Sequence, residues 1–152
     1  MKSQELLIID ASAKTPQIDM NSLTGELLIS GRSIPENAVA IYEPIYRWVE
    51  EYRKNPKQIT NLRLNLEYFN TSSSLWISKI VKSLSQISQS DYVLFIHLYF
   101  DIEEFDEMES EDLKNALSPI TDIISLAKVS VGIKVYGTDS GGAIIKESII
   151  LV

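Results

Sequence analysis

The chain has 152 residues, no cysteine and a net charge of −7, which is the size of one domain with room for a real core. Without cysteine there are no disulfides and no thiolate nucleophiles or metal sites, and without a basic cluster nucleic acid and anionic membrane are poor partners. No apolar run reaches the ~18 residues of a membrane span, and MKSQELLIIDASAK lacks the longer apolar core of a secretory signal, so the cytoplasm is the expected compartment.

In chain order, ELLIID (residues 5–10) is an apolar run of strand length. AKTPQIDMNSLTGELLISG follows as two short segments around an Asn-Ser-Leu-Thr-Gly turn, where Gly25 can take the positive φ that closes it. Ser33-Ile34-Pro35-Glu36 has the form of a capping box, with Pro35 in the first helical turn. Ala38, Ile41, Tyr42, Ile45, Trp48, Val49 and Tyr52 then recur every three or four residues, predicting an amphipathic helix to about residue 54. Pro44 lies inside it and is expected to kink the helix rather than end it, because the stripe continues in phase.

NLRLNLEYF alternates, with Leu62, Leu64, Leu66 and Tyr68 on one side and Arg63, Asn65 and Glu67 on the other, as in a strand buried on one face. Ile77, Ile80, Val81, Leu84 and Ile87 predict a second helix over roughly residues 72–89. DYVLFIHLYF is apolar on both faces and reads as a central strand. A third helix, with Leu113, Ala116, Leu117, Ile120, Ile124 and Ala127, is expected to bend near Ser118-Pro119. VSVGIKVY and AIIKESIILV end the chain as two strands joined by the hairpin loop GTDSGG. Strands alternating with helices predict a single α/β domain over residues 1–152. It is a two-layer sandwich with parallel pairs inside a mixed sheet and helices mainly on one face. The other face is left to solvent or to a partner.

Few residues carry candidate chemistry. His97, the only histidine, has no second histidine for a metal set and no nucleophile-elbow pattern to serve, so it reads as a hydrogen-bonded strand residue. DIEEFDEMESED, residues 101–112, packs eight carboxylates into twelve positions. It lacks the glycine turn of an EF-hand loop and reads as a solvated entry into a helix, where the dipole favours acids. NTSSS, residues 70–74, offers five consecutive N-cap candidates where a cap needs one. The surplus side chains are expected to face solvent within reach of a kinase, and a phosphate there would meet the free amides of a helix start.

SGRSIPENAVAIYEPIYRWVEEY (30–52), LEYFNTSSS (66–74) and YFDIEEFDEM (99–108) together resemble the SiaC-type regulatory phosphoproteins, small STAS-like domains akin to anti-sigma-factor antagonists. TPQIDMN and GELLISG also fit, so the resemblance spans about residues 5–127. It implies a non-enzymatic bacterial signalling protein that switches partners and needs no cofactor. A serine/threonine kinase related to anti-sigma factors phosphorylates the threonine of the Asn-Thr-Ser-Ser motif, and a PP2C-like phosphatase reverses this. The dephosphorylated form binds an effector, in that family a diguanylate cyclase. Carried over by position, the phosphorylated residue is Thr71. The recognition residues are Asn70, Ser72 and Ser73, with Ser33, Pro35, Glu36 and Asn37 of the second signature. The hairpin over 137–152 looks like an addition to the family pattern. The other classes open to the sequence are a constitutive binding or dimerisation module, and a metal-assisted enzyme using the acidic run.

Overall fold

The computed structural model of the protein describes residues 6–107 and 120–151. Seven strands, β1 (Leu6–Ile9), β2 (Gln17–Asn21), β3 (Glu26–Ser33), β4 (Ile59–Phe69), β5 (Val93–Asp101), β6 (Ser130–Thr138) and β7 (Ile144–Leu151), lie side by side in chain order in one sheet. The β1–β2, β2–β3 and β6–β7 pairs are antiparallel, and the three central pairs from β3 to β6 are parallel. Each parallel pair needs a crossover. Helix α1 (Ala38–Tyr52) links β3 to β4, and α2 (Thr71–Leu84) links β4 to β5. The short α3 (Ile102–Glu107) follows β5, and a further helical turn spans 120–124.

Crossovers of one hand, stepping in one direction across the sheet, place their helices on one face. The packing bears this out. Tyr42, Ile45 and Val49 of α1 and Ile77, Ile80, Val81 and Leu84 of α2 share one buried cluster with Leu27, Ile29, Leu62, Leu64, Leu94, Ile96, Ile133 and Val135. The alternate strand residues Asn61, Arg63, Asn65 and Lys134 lie outside that cluster, on the open face. The expected two-layer α/β sandwich with a mixed sheet is therefore the observed architecture.

Local signals account for several details. Gly25 has φ +79, and a Cβ there would come 2.5 Å from the Ile59 carbonyl oxygen. Its own carbonyl accepts from the Asn61 amide at 2.8 Å, tying the β2–β3 turn to the start of β4. Gly137 leaves room for α3, since a Cβ there would lie 2.8 Å from Ile102 Cδ1. α1 runs through Pro44 without interruption, as its stripe requires.

The capping box and the place of Tyr68 are corrected. Ser33 does not cap α1: it is the last residue of β3, and the N-cap is Asn37, whose Oδ1 accepts from the Ala40 amide at 3.3 Å. Glu36 does not reach back to the Ser33 amide but pairs at the surface with Lys14 Nζ at 3.3 Å, and Pro35 precedes the helix rather than entering its first turn. The parallel pairing of β3 with β4 holds Ser33 opposite Phe69 in extended backbone, which outweighs a local capping pattern. Tyr68 is not buried with Leu62 and Leu64; it is 58% exposed, because β4 slips one residue against β3 at Gly31/Arg32. Of the expected third helix, Leu113, Ala116, Leu117 and the Ser118-Pro119 bend lie outside the described residues. Ile124 is buried in the core.

Candidate functional site

The two sequence signatures meet at the carboxyl ends of neighbouring parallel strands, where open α/β sheets place their sites. β3 ends at Ser33 and β4 at Phe69, paired in register. The Asn70 amide donates to the Ser33 carbonyl at 3.0 Å, and Asn70 Nδ2 donates to the Pro35 carbonyl at 3.3 Å. Asn70 is also the N-cap of α2, its Oδ1 accepting from the Ser73 amide at 2.9 Å. One side chain thus begins the helix and ties it to the segment leading into α1.

Beneath this turn is a buried hydroxyl chain. Ser33 Oγ donates to Ser73 Oγ at 2.8 Å, and Ser73 Oγ is 2.9 Å from the Ser33 carbonyl and 2.8 Å from Asn70 Oδ1, both acceptors. Ser33 Oγ also lies 2.5 Å from the Tyr42 hydroxyl. Because Ser33 spends its proton on Ser73, Tyr42 is the donor to Ser33. Ser33, Ser73 and Tyr42 are all fully buried. Burial pushes the Tyr42 phenol up despite its hydrogen bonds to Ser33 and Ser73, so it stays protonated and can donate.

The eight expected site residues therefore divide. Thr71, Ser72, Glu36 and Asn37 are exposed, and Asn70 is half-buried. Ser33, Ser73 and Pro35 are buried. The surplus hydroxyls of NTSSS do not all face solvent either, since Ser73 turns inward to satisfy Ser33. Thr71 is the first residue of α2, and among the described residues its hydroxyl has no hydrogen-bond partner.

Sequence reasoning missed two kinds of participant. Tyr42 was legible only as part of the α1 stripe, because nothing local reveals a hydroxyl partner on another element. The exposed apolar residues around Thr71 were missed as well: Phe69 is 57% exposed, Leu75 62% and Ile34 37%. Their chain positions put them beside Thr71, with Phe69 two residues before it, Leu75 one turn along α2, and Ile34 next to the Ser33 carbonyl that Asn70 grips.

The hydroxyl chain makes a test. Under a capping role, Ser33→Ala and Tyr42→Phe would act independently. Here Ser33→Ala strands the buried Tyr42 hydroxyl and is expected to cost about 1–3 kcal/mol. Adding Tyr42→Phe should recover part of that loss, a coupling of roughly 0.5 kcal/mol or more in a double-mutant cycle. Urea unfolding of the four proteins checks it, and strictly additive losses would refute the chain.

On the open face a second polar set crosses four strands. Arg63 donates to Glu26 at 2.7 Å and to the Tyr99 hydroxyl at 2.8 Å, and the Tyr99 and Tyr136 rings stack at 4.7 Å. His97 lies 2.7 Å from both the Tyr136 hydroxyl and Asn61 Oδ1. An amide oxygen only accepts, so Nε2 carries the proton and Nδ1 accepts from Tyr136. Burial first, then the Arg63 and Lys134 charges, lower His97 to about 4. It stands as the hydrogen-bonded strand residue the sequence suggested.

The described part of the acidic run opens α3, with Glu103 and Glu104 in the first turn and the Glu103 amide bonded to Asp101 Oδ2 at 3.1 Å. Residues 108–112 of that run lie outside the described residues. Among the described residues no group of three or more His, Asp or Glu is placed to hold a metal ion, and no helix is long and apolar enough to cross a membrane.

Comparison with known proteins gives concordant findings. The family described as SiaC family regulatory phosphoprotein matches residues 9–125. An uncharacterized protein of Pseudomonas aeruginosa strain UCBPP-PA14 is 28% identical over 95 residues, 62% of this chain and 75% of its own length. The crystal structure of apo-SiaC from Pseudomonas aeruginosa superposes with a TM-score of 0.64 at 22% identity, covering 86% of this chain and 98% of that one. A chain in the crystal structure of the diguanylate cyclase SiaD in complex with its activator SiaC, also from Pseudomonas aeruginosa, gives 0.66 at 22% identity, covering 86% and 99%. At that identity the structural likeness carries the fold.

Proposed function

Because this chain belongs to the SiaC family of regulatory phosphoproteins, we propose that it is a partner-switching protein whose switch is the phosphorylation of Thr71. The unmodified form binds and activates an effector. A serine/threonine kinase related to anti-sigma factors adds the phosphate, and a PP2C-like phosphatase removes it. The effector class is a diguanylate cyclase, as SiaC is the activator of the cyclase SiaD in the matched complex. The chain does no chemistry of its own and acts in the cytoplasm.

The observation that carries this reading is the division of labour in NTSSS. Asn70 caps α2 and Ser73 fills the buried hydroxyl chain, which leaves Thr71 exposed at the helix start with no structural duty. A phosphate there would gain from the free amides and the dipole, about 0.3–1 kcal/mol, so the fold tolerates it. The same charge, flanked in the chain by the exposed Phe69 and Leu75, would have to be desolvated for an apolar partner to dock there.

Phosphosite mapping by mass spectrometry after treatment with such a kinase tests the assignment. Phosphate is expected on Thr71 and should be removed by a PP2C-like phosphatase. Phosphate confined to Ser72 or Ser74, or none at all, would overturn it and favour a constitutive binding module.

A further inference from the structure

The two edges of the sheet differ. β1 is four residues long, whereas β7 runs for eight, Ile144–Leu151, and is paired only on its β6 side. The free side offers unpaired amides and carbonyls to any strand that can lie against it, and proteins blunt such edges with proline, a bulge or a charge set into the strand. From Lys146 to Leu151, β7 has no proline and follows β6 residue for residue, the register slipping only at Gly137/Thr138, before Lys146. Lys146 is drawn to Asp106 at 2.6 Å on the helix side. Ile144, Ile145 and Ile149 are each more than half exposed. On the open face Ile149 stands opposite Lys134, and Glu147 opposite Tyr136. Among the described residues neither Lys134 nor Glu147 enters an ion pair. Lys134 Nζ lies 5.0 Å from the centroid of the Phe95 ring, and Glu147 is exposed.

We infer that β7 is the strand through which two copies of this chain join, antiparallel about a two-fold axis at Ser148, so that two seven-stranded sheets become one. The strand's own charge pattern selects a second copy as the occupant. A two-fold pairing keeps like faces of the sheet together, so the axis must pass through a residue paired with its own mate. Of the axes through residues 146–149, those at Lys146 and Glu147 put like charges directly opposite, and the one at Ile149 turns Lys134 toward its own mate. At Ser148, Glu147 meets Ile149 of the second copy, and next to that stands the second copy's Lys134. With strands ~4.8 Å apart, Glu147 and that lysine are about 9.6 Å apart at the backbone, a span their side chains close, and symmetry makes the contact twice. The two Glu147 side chains lie diagonal to each other, and a lysine stands beside each. The net charge of −7 on each copy opposes the approach, so the dimer is expected to show at high protein concentration. The family match ends at residue 125, before β6 and β7. The join lies three strands from β4 and leaves the Thr71 end of each copy free, so the inference stands apart from the switch.

Sedimentation velocity of the full, unphosphorylated chain over a concentration series tests the join. A monomer–dimer equilibrium is expected. Lys134→Glu and Glu147→Lys each place like charges across the axis and should lower association about ten-fold or more while the unfolding midpoint holds. Mixed in equal amounts, the two variants should dimerise again, because a pair made of one of each restores attraction at both contacts. That recovery requires residue 134 of one copy to meet residue 147 of the other, and it requires both variants to be folded. A monomer at every concentration, a dimer indifferent to either substitution, or no recovery in the mixture would each overturn the inference.

Discussion

Thr71→Glu is expected to weaken effector binding about ten-fold or more, a loss of at least ~1.4 kcal/mol, while the fold keeps its stability. The two halves of that expectation have separate causes. Stability holds because the side chain at this position makes no hydrogen bond among the described residues, and the Asn70 cap and the Ser73 hydroxyl stay in place. A carboxylate at the first helical position interacts favourably with the dipole, so the unfolding free energy should move by no more than roughly 0.5 kcal/mol. Binding is expected to fall because the new charge, flanked in the chain by the exposed Phe69 and Leu75, would have to lose its water when a partner docks there. Thr71→Ala should bind like the unmodified protein and ignore the kinase. Calorimetric titration of the three proteins with the effector, alongside denaturant unfolding of each, separates the halves. If Thr71→Glu bound as tightly as Thr71→Ala, the switch would have to lie elsewhere; if it unfolded the protein, Thr71 would have a structural duty.

Acidification from about pH 7 to 5 is expected to draw some 2 kcal/mol of stability from His97 alone, rising to about 3 kcal/mol by pH 4. The folded protein holds this imidazole neutral down to about 4, whereas the unfolded chain protonates it near its ordinary value of 6.5. Between those two values the unfolded state binds the extra proton, so stability rises with pH across the window and is lost as pH falls through it. The cause is visible in the site. His97 is 3% exposed, its Nε2–H already donates to Asn61, and its Nδ1 accepts from Tyr136. A second ring proton would face the Tyr136 hydroxyl proton, close to the positive charges of Arg63 and Lys134. His97→Gln removes the titration, and the variant's stability should fall less than the parent's between pH 7 and 5. Parallel urea curves at the two pH values check this. Identical pH dependence in both proteins would mean that His97 titrates as it does in water.

Much of the fold was legible because its elements are specified by local period. Leu62 and Leu64 alternate as strand residues buried on one face, and Ile77, Ile80, Val81 and Leu84 recur at helical spacing, so both elements form, although α2 ends at Leu84 and leaves the buried Ile87 beyond it. Gly25 was legible because only glycine takes its turn conformation cheaply, and Asn70 because amides and hydroxyls before an apolar helix are caps. DYVLFIHLYF, apolar on both faces, marked a strand that does lie in the parallel centre of the sheet. The likeness of two short signatures placed the family and named Thr71 as the switch to test.

What tertiary structure decided depends on contacts between residues far apart in the chain. Ser33 reads as a helix cap from its neighbours, but the register of β3 against β4 keeps it extended, and Tyr42 and Ser73 take its hydroxyl. Ser73 and Thr71 are equivalent as cap candidates, yet the buried Ser33 hydroxyl claims Ser73 and leaves Thr71 outside. Tyr68 carries the right phase for the core, and a one-residue slip at Gly31/Arg32 exposes it. The local sequence sets which backbone conformation each segment prefers, at roughly 1 kcal/mol per cap or turn. Which hydroxyl is buried, and which is left for a partner to read, is settled by strand register and by the cost of an unpaired polar group, and both are properties of the assembled sheet.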